Sequence, residues 1–400
     1  MVFMKNKPKI LTFVSYYLPG YKAGGPLRTI ANMVDHLSND FEFWIVTRDR
    51  DLGDEEPYTD INVNQWNDIQ GAKVFYLSPE NQTLSGITDI INATPHDLIY
   101  LNSFFDPLFT LQPLLARRLG RLKNAPVLLA PRGEFSEGAI QLKRFKKSIF
   151  MKVARWLGIY NGIYWHASST HEVEDIKREF RLKGDSIVTA LDLPAKISED
   201  NFLDSQSDRD HEGLHIIFLS RIAPMKNLDY ALRLLKQVTA RVKLDIYGPI
   251  EDKAYWELCK GLIGSLPANI DVNYLGLAHP DDVAKTFAQY DLFLFPTRGE
   301  NYGHVIAESL SVGTPVLISD QTPWKDLESD GLGWDISLDN TSAFINVIER
   351  MSLRTSDEKY QKREYIRQKV LERLTSPELL ESNRQVFNIP LKNKNLKKEK

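Results

Sequence analysis

Short runs of apolar, β-branched and aromatic residues alternate along the chain with longer stretches whose apolar positions recur every three or four residues. That alternation is the signature of strands and helices arranged about parallel sheets. Two such series are legible. The first predicts strands at 10–15, 43–47, 74–77, 98–101, 127–130 and 163–166, with helices such as 27–37 and 107–119 between them. The second predicts strands at 215–219, 243–247, 271–274, 292–295 and 315–318, spaced so that each gap takes one helix. Between the series, 197–213 holds Ser198, Asp200, Asp204, Ser205, Ser207, Asp208 and Asp210 and has little to bury, which predicts a linker. The expected organisation is an α/β domain over 1–196, the linker over 197–213, and a second α/β domain over 214–375. A segment over 376–389 is expected to cross back to the first domain, and a disordered Lys-rich tail to cover 390–400. Open α/β sheets bind ligands at the carboxyl ends of their strands, so chemistry is expected in the loops that follow strands.

Composition acts mainly by exclusion. The 400 residues suffice for two domains, and 50 Lys plus Arg against 53 Asp plus Glu leave a net charge of −3. No global electrostatic case for a nucleic-acid partner follows from that balance. The single cysteine, Cys259, excludes an internal disulfide framework and cysteine-cluster metal sites, and predicts a reducing compartment. The apolar run after Lys5, Lys7 and Lys9 stops at Pro19 without a cleavage pattern and reads as a first strand, not a signal peptide. No uninterrupted run of about 18 apolar residues predicts a transmembrane helix. The expected location is cytoplasmic, with the inner face of the plasma membrane as the one plausible boundary.

Three loops concentrate candidate chemistry. After the first strand come Gly20, Gly24, Gly25 and Pro26 immediately before a helical pattern. Paired glycines at a helix N-terminus let backbone N–H groups approach an anion, although a tight strand-to-helix turn needs the same residues. The spacing is neither the dinucleotide fingerprint nor a Walker A loop. After the first strand of the second series, Arg221 and Lys226 lie on a short loop before a helix, where a guanidinium fork and an ammonium suit a diphosphate. The third loop runs Pro296-Thr297-Arg298-Gly299-Glu300-Asn301-Tyr302-Gly303 and enters a helix carrying Glu308 among Ile306, Ala307 and Leu310. With Gly303 near the helix start, Glu300 belongs to the loop and Glu308 to the helix. One carboxylate is then available to sugar hydroxyls and the other to a ribose diol.

These residues, with Tyr247-Gly248-Pro249 and Gly313-Thr314-Pro315-Val316, resemble the retaining glycosyltransferases of family 4, in the group 1 superfamily, and the similarity runs through nearly the whole chain. The resemblance implies an α/β fold of two Rossmann-like domains facing each other across a cleft, the GT-B arrangement. It implies transfer of a sugar from a UDP- or GDP-linked donor to a glycan or lipid-linked glycan, in cell-envelope polysaccharide or lipopolysaccharide synthesis. By the same resemblance Arg221 and Lys226 hold the diphosphate, Glu300 the transferred sugar and Glu308 the ribose. Gly24, Gly25, Gly248, Asn301, Tyr302 and Gly303 complete the donor site. No cofactor and no divalent metal are expected, since preorganised cations and helix N-termini can stabilise a leaving diphosphate. Alternatives on the same fold are a nucleotide-sugar epimerase, a phosphorylase, or a catalytically silent nucleotide-sugar-binding subunit.

One departure from the family stands in the loop after the fifth strand. Many members carry a histidine there, whereas this chain reads Ala130-Pro131-Arg132-Gly133-Glu134-Phe135. Arg132, Glu134 and His166 are candidates for donor or acceptor contact, against a reading in which Arg132 and Glu134 brace the loop and His166 is structural. His171-Glu172 lacks the second histidine of a zinc-protease helix, Asp49-Arg50-Asp51 is partly self-neutralised, and Cys259 reads as a packed thiol. Finally, 141–156 carries Lys143, Arg144, Lys146, Lys147, Lys152 and Arg155, with Leu142, Phe145, Ile149, Val153 and Trp156 at helical spacing. Two uses fit this basic amphipathic helix: peripheral contact with an anionic membrane, or a core-facing apolar side with solvated cations.

Overall fold

The computed structural model describes residues 7–135, 144–180, 182, 186–196, 213–279 and 282–398. The chain divides into two compact units, Met1–Lys196 with Ser376–Lys400, and Ile197–Thr375. Of the expected linker, 197–212 lies outside the described residues.

The first unit is built on an eight-stranded sheet of order β3-β4-β2-β1-β5-β6-β7-β8. Its strands are β1 Lys9–Phe13, β2 Glu42–Arg48, β3 Trp66–Ile69, β4 Ala72–Leu77, β5 Leu98–Asn102, β6 Val127–Ala130, β7 Tyr164–Ala167 and β8 Ile187–Thr189. All pair in parallel except β3 with β4. Central β5 and β6 are buried at every position, as a sheet covered on both faces requires. One covering layer includes Ile30, Met33 and Val34 of helix Gly25–Leu37, and the other includes Ile87, Ile91 and Leu114.

The second unit has a six-stranded parallel sheet of order β11-β10-β9-β12-β13-β14. These strands are β9 Leu214–Leu219, β10 Val242–Tyr247, β11 Ile270–Gly276, β12 Leu292–Phe295, β13 Val316–Ser319 and β14 Gly333–Ile336. Here β9 lies between β10 and β12, so the order reverses beside it. In an open α/β sheet such a reversal places a crevice at the carboxyl ends of the flanking strands, here β9 and β12.

The expected tail is corrected. Helix Pro377–Lys398 continues through Pro390 to Lys398 and belongs to the first unit. Val386 and Phe387 are fully buried, and the Phe387 ring lies 5.0, 5.8 and 5.4 Å from those of Phe41, Phe43 and Tyr100. Leu391 packs on the same core, and Lys394 Nζ donates to Asp97 O at 3.3 Å. An apolar stripe shared with the segment before it thus orders a lysine-rich end that composition alone assigns to solvent. Among the described residues no helix is long and apolar enough to cross a membrane.

Candidate functional site

In the second unit the crevice-forming loops are locked to each other. The loop after β9 makes a single turn over Pro224–Lys226 and ends at Asn227, whose backbone is left-handed with φ 63°. The Asn227 carboxamide donates to Pro296 O at 2.8 Å and accepts from Arg298 Nε at 3.0 Å. Arg298 N donates to Met225 O at 2.9 Å. These bonds fasten the loop after β9 to the loop after β12. They bring Lys226 Nζ to 2.5 Å from Glu300 Oε1, with the two side chains only 14% and 12% exposed. Thr297, fully buried, donates to the same carboxylate oxygen at 3.0 Å, and Lys226 Nζ stands 5.6 Å from the Phe295 ring centre.

Glycines set the neighbouring backbone. Gly303, at φ 82°, caps helix His304–Ser311 without a side-chain hydrogen bond at the cap, and an added Cβ would lie 2.8 Å from Ile306 Cδ1. The Trp324 indole donates to Tyr302 O at 2.7 Å and holds the entry to that helix. Ile306 N donates to Gly303 O at 2.8 Å, and the start of such a helix is suited to an anion. At Gly248, with φ 135°, a Cβ would fall 1.8 Å from Ser220 O, so only glycine lets the loop after β10 press against the loop after β9. Glu300 lies in the loop and Glu308 on the helix, each as the sequence predicts. Glu308 and Asn301 are half-buried, so Glu308 is not the buried carboxylate its apolar neighbours suggest, while Tyr302 is buried.

Arg221 takes a different partner. Its Nη1 lies 2.5 Å from Glu251 Oε2, with side chains 39% and 47% exposed. The structure thus gathers Lys226, Thr297 and Glu300, with Glu300 three positions ahead of Gly303 at the helix start, and holds Arg221, on the same loop as Lys226, by a second carboxylate. Two cations each masked by one carboxylate can exchange that partner for a phosphate oxygen, which frees the carboxylate to accept hydroxyl hydrogen bonds. Glu251 and Thr297 carry no sequence signal of this role. Their pairing is visible only once the strands are aligned.

The candidates of the first unit face inward. Arg132, at φ 58°, donates from Nη1 to Asp192 at 2.7 Å, from Nη2 to Tyr100 Oη at 2.6 Å and Asn102 at 2.8 Å, and from Nε to Asn102 at 3.1 Å. Its side chain is nearly buried, with Asp192 also accepting from Thr29 Oγ1 at 2.9 Å. His166 is 1% exposed, with Nδ1 2.7 Å from Tyr100 Oη and Nε2 3.2 Å from Ala190 O. A carbonyl accepts only, so Nε2 carries the proton and Nδ1 accepts from Tyr100. Burial first, and then the Arg132 charge, push this imidazole down to about 4. Of the two readings open for Arg132 and His166, these contacts support the structural one: both belong to a buried brace that joins β5, the loop after β6, β7 and the chain after β8.

Arg132 and Glu134 do not brace each other. Glu134 accepts from Ser103 Oγ at 2.7 Å and from the amides of Phe104 and Phe105 at 2.5 and 3.1 Å, and burial pushes its carboxyl above the usual range. Glu172, singled out only as a failed metal motif, accepts from Gly133 N at 2.6 Å and from Ser168 N and Oγ, both at 2.7 Å. Gly24, at φ 75°, precedes helix Gly25–Leu37, whose start has no side-chain cap, and a Cβ on Gly25 would meet nothing within 4 Å. Asp51 steadies the loop before it through Tyr21 N and Lys22 N at 2.7 and 3.0 Å. Asp49 pairs with Arg50, and burial pushes the packed Cys259 thiol up to about 11. Among the described residues no group of three or more His, Cys, Asp or Glu is arranged to hold a metal ion.

Residues 199–369 match the family described as Glycosyl transferases group 1. An uncharacterized 41.2 kDa protein in the cps region of Klebsiella pneumoniae is 21% identical over 270 residues, 66% of this chain and 71% of that protein. An uncharacterized glycosyltransferase, MJ1607, of Methanocaldococcus jannaschii is 30% identical over 121 residues, 30% of each chain. Among solved structures, Anabaena Alr3699/HepE in complex with UDP-glucose has a TM-score of 0.67 at 15% identity, covering 94% of this chain and 98% of that one. WaaG, a glycosyltransferase involved in lipopolysaccharide biosynthesis, has a TM-score of 0.64 at 13% identity, covering 94% and 98%. The fold is that of the GT-B proteins, with two Rossmann-like domains, and the stretch that matches the family model lies in the second unit.

Proposed function

We propose that the chain is a retaining glycosyltransferase that moves a sugar from a UDP- or GDP-linked donor to a hydroxyl of a glycan or lipid-linked glycan, at the cytoplasmic side of the cell envelope. The observation that carries this reading is the Lys226–Glu300 pair, buried where the loops after β9 and β12 meet, the latter leading into helix His304–Ser311. An incoming diphosphate draws the Lys226 ammonium and the Arg221 guanidinium onto its oxygens. Glu300, released from Lys226, accepts hydrogen bonds from hydroxyls of the transferred sugar. Glu308, with Asn301 and Tyr302 nearby in sequence, is assigned to the ribose end of the donor, and Gly248 to its border. The envelope setting is supported by the cps-region relative and by the fold shared with WaaG.

In this reading the bond from the anomeric carbon to the phosphate oxygen breaks as the acceptor oxygen bonds to the same face of that carbon. The acceptor proton passes to the leaving phosphate oxygen. No protein nucleophile takes part, and fixed positive charge at Arg221, Lys226 and the helix start stabilises the leaving group.

The test is donor hydrolysis, with water as acceptor, across UDP- and GDP-linked α-sugars followed by proton NMR. The proposal predicts that the α anomer of the free sugar appears first and that Glu300→Ala removes turnover. Initial release of the β anomer would overturn retention. Conversion of the donor to an epimer, or cleavage that requires inorganic phosphate, would overturn transfer in favour of an epimerase or phosphorylase. Nucleotide binding without turnover of any donor would favour a silent binding subunit.

A further inference from the structure

We infer that the first unit docks on an anionic phospholipid bilayer through a face made by helix Arg144–Trp156 and the end of helix Gln112–Arg118. The helix 144–156 buries Met151 and Ala154, while Phe150 is half-buried. Its other apolar stripe is left in solvent: Phe145 is 79% and Trp156 84% exposed, and Ile149, Val153 and Leu157 are exposed with them. Spacings of four, four and three residues put Phe145, Ile149, Val153 and Trp156 along one line of the helix. The core-facing use of this stripe is therefore ruled out by the structure. Leu142 and Lys143 lie outside the described residues.

A second element continues the face. Arg118 Nε donates to Leu157 O at 3.3 Å, and Arg117 donates to Asn161 O at 2.9 Å and Gly162 O at 3.2 Å. These bonds tie the two helix ends together, and the second end adds exposed Leu115 and Leu119. At the junction lies a pocket of about 480 Å³ lined by Arg117, Arg118, Lys123, Asn124, Gly158 and Asn161 among others. Its cations and its size suit a phosphate headgroup.

Charge selects the occupant. No Asp or Glu occurs in the sequence from 107 to 133 or from 144 to 171, the two described stretches that supply this face, and they carry ten Lys and Arg between them. Of those, Arg132 is turned inward and Lys147 Nζ lies 4.7 Å from the Phe105 ring centre, whereas Arg121, Lys123 and Lys152 are exposed. Solvent-exposed aromatic and aliphatic side chains interleaved with cations match the headgroup layer of an anionic membrane; helix Thr170–Phe180 approaches at Arg155, whose Nη1 donates to Glu179 O at 2.6 Å. Each cation near such a surface strengthens binding about fivefold.

Full-length protein is sedimented with phosphatidylcholine vesicles, with and without phosphatidylglycerol. The proposal predicts pelleting only with phosphatidylglycerol and loss of pelleting on raising salt. Phe145→Ser with Trp156→Ser should abolish it, and Lys123→Glu with Lys152→Glu should weaken it at least about 25-fold, the product of two such cations. All four side chains are at the surface, so unchanged thermal midpoints and unchanged UDP binding keep this result separate from the donor-site reading. No pelleting with anionic vesicles would overturn the proposal and favour an acidic protein on this face. Equal pelleting of the Phe145/Trp156 variant, or binding of soluble glycerol phosphate without binding of vesicles, would also overturn it.

Discussion

A buried neutral histidine makes the stability of the first unit depend on pH, and the size of the effect follows from its surroundings. His166 is held between Tyr100 and the Ala190 carbonyl with Arg132 and Asp192 nearby, and it titrates at about 4 instead of 6.5. The unfolded chain therefore gains a proton at this residue below about pH 6.5 that the folded chain refuses until about pH 4. The contribution is fully present above the unfolded value and is lost as pH falls through that window. Between pH 7 and pH 5 the loss is about 2 kcal/mol, from roughly 1.36 kcal/mol per pH unit below the unfolded value. His36 and His96 are also lowered by burial, and Glu134 and Glu172 are raised, so the wild-type slope alone is a composite. The informative quantity is the difference between wild type and His166→Gln, measured by urea unfolding at both pH values. The variant should lose about 1–3 kcal/mol at pH 7 through a broken hydrogen-bond chain, yet fall about 2 kcal/mol less than wild type on going to pH 5. Equal losses for the two proteins would refute the buried neutral imidazole.

Three further outcomes follow. Gly248→Ala should destabilise the second unit by about 1–3 kcal/mol and weaken nucleotide binding, because its Cβ displaces Ser220 and the Arg221 loop; unfolding and titration of the variant check both. Phe387→Ala should cost about 3–5 kcal/mol of first-unit stability, since three aromatic rings surround that fully buried side chain, and a change within experimental error would place the helix elsewhere. Chelation with EDTA should leave donor hydrolysis at its original rate, since the proposed charge stabilisation comes from Arg221, Lys226 and a helix start; loss of rate restored by magnesium would overturn that assignment.

The apolar strands were legible because central parallel strands are buried on both faces and read as unbroken runs such as Leu292–Phe295. Three strands escaped for the opposite reason. Trp66–Ile69 is a half-polar antiparallel edge, Ile187–Thr189 has three residues, and Gly333–Ile336 opens on a glycine and alternates in character. The loops of the candidate site were legible from their glycines, cations and carboxylates. What local sequence does not encode is which charges meet: Lys226 finds Glu300 from 74 residues away, and Arg132 finds Asp192 from 60. For that reason sequence alone leaves Arg132 and His166 open between substrate contact and a structural role, and the structure places both in the interior. The stripe of helix Arg144–Trp156 was legible but its use stayed open between membrane and core, because an amphipathic pattern does not say which side the core takes.

The most direct test of the central claim is calorimetric titration of the purified chain with UDP, GDP and ADP, repeated with Lys226→Met. The account predicts selective binding of one nucleoside diphosphate, weakened about 10- to 150-fold in the variant, the equivalent of the roughly 1.5–3 kcal/mol of a charge-assisted hydrogen bond. The Lys226–Glu300 pair would then be the resting state of a diphosphate site. Undiminished affinity in Lys226→Met, or no binding of any of the three by wild type, would contradict it.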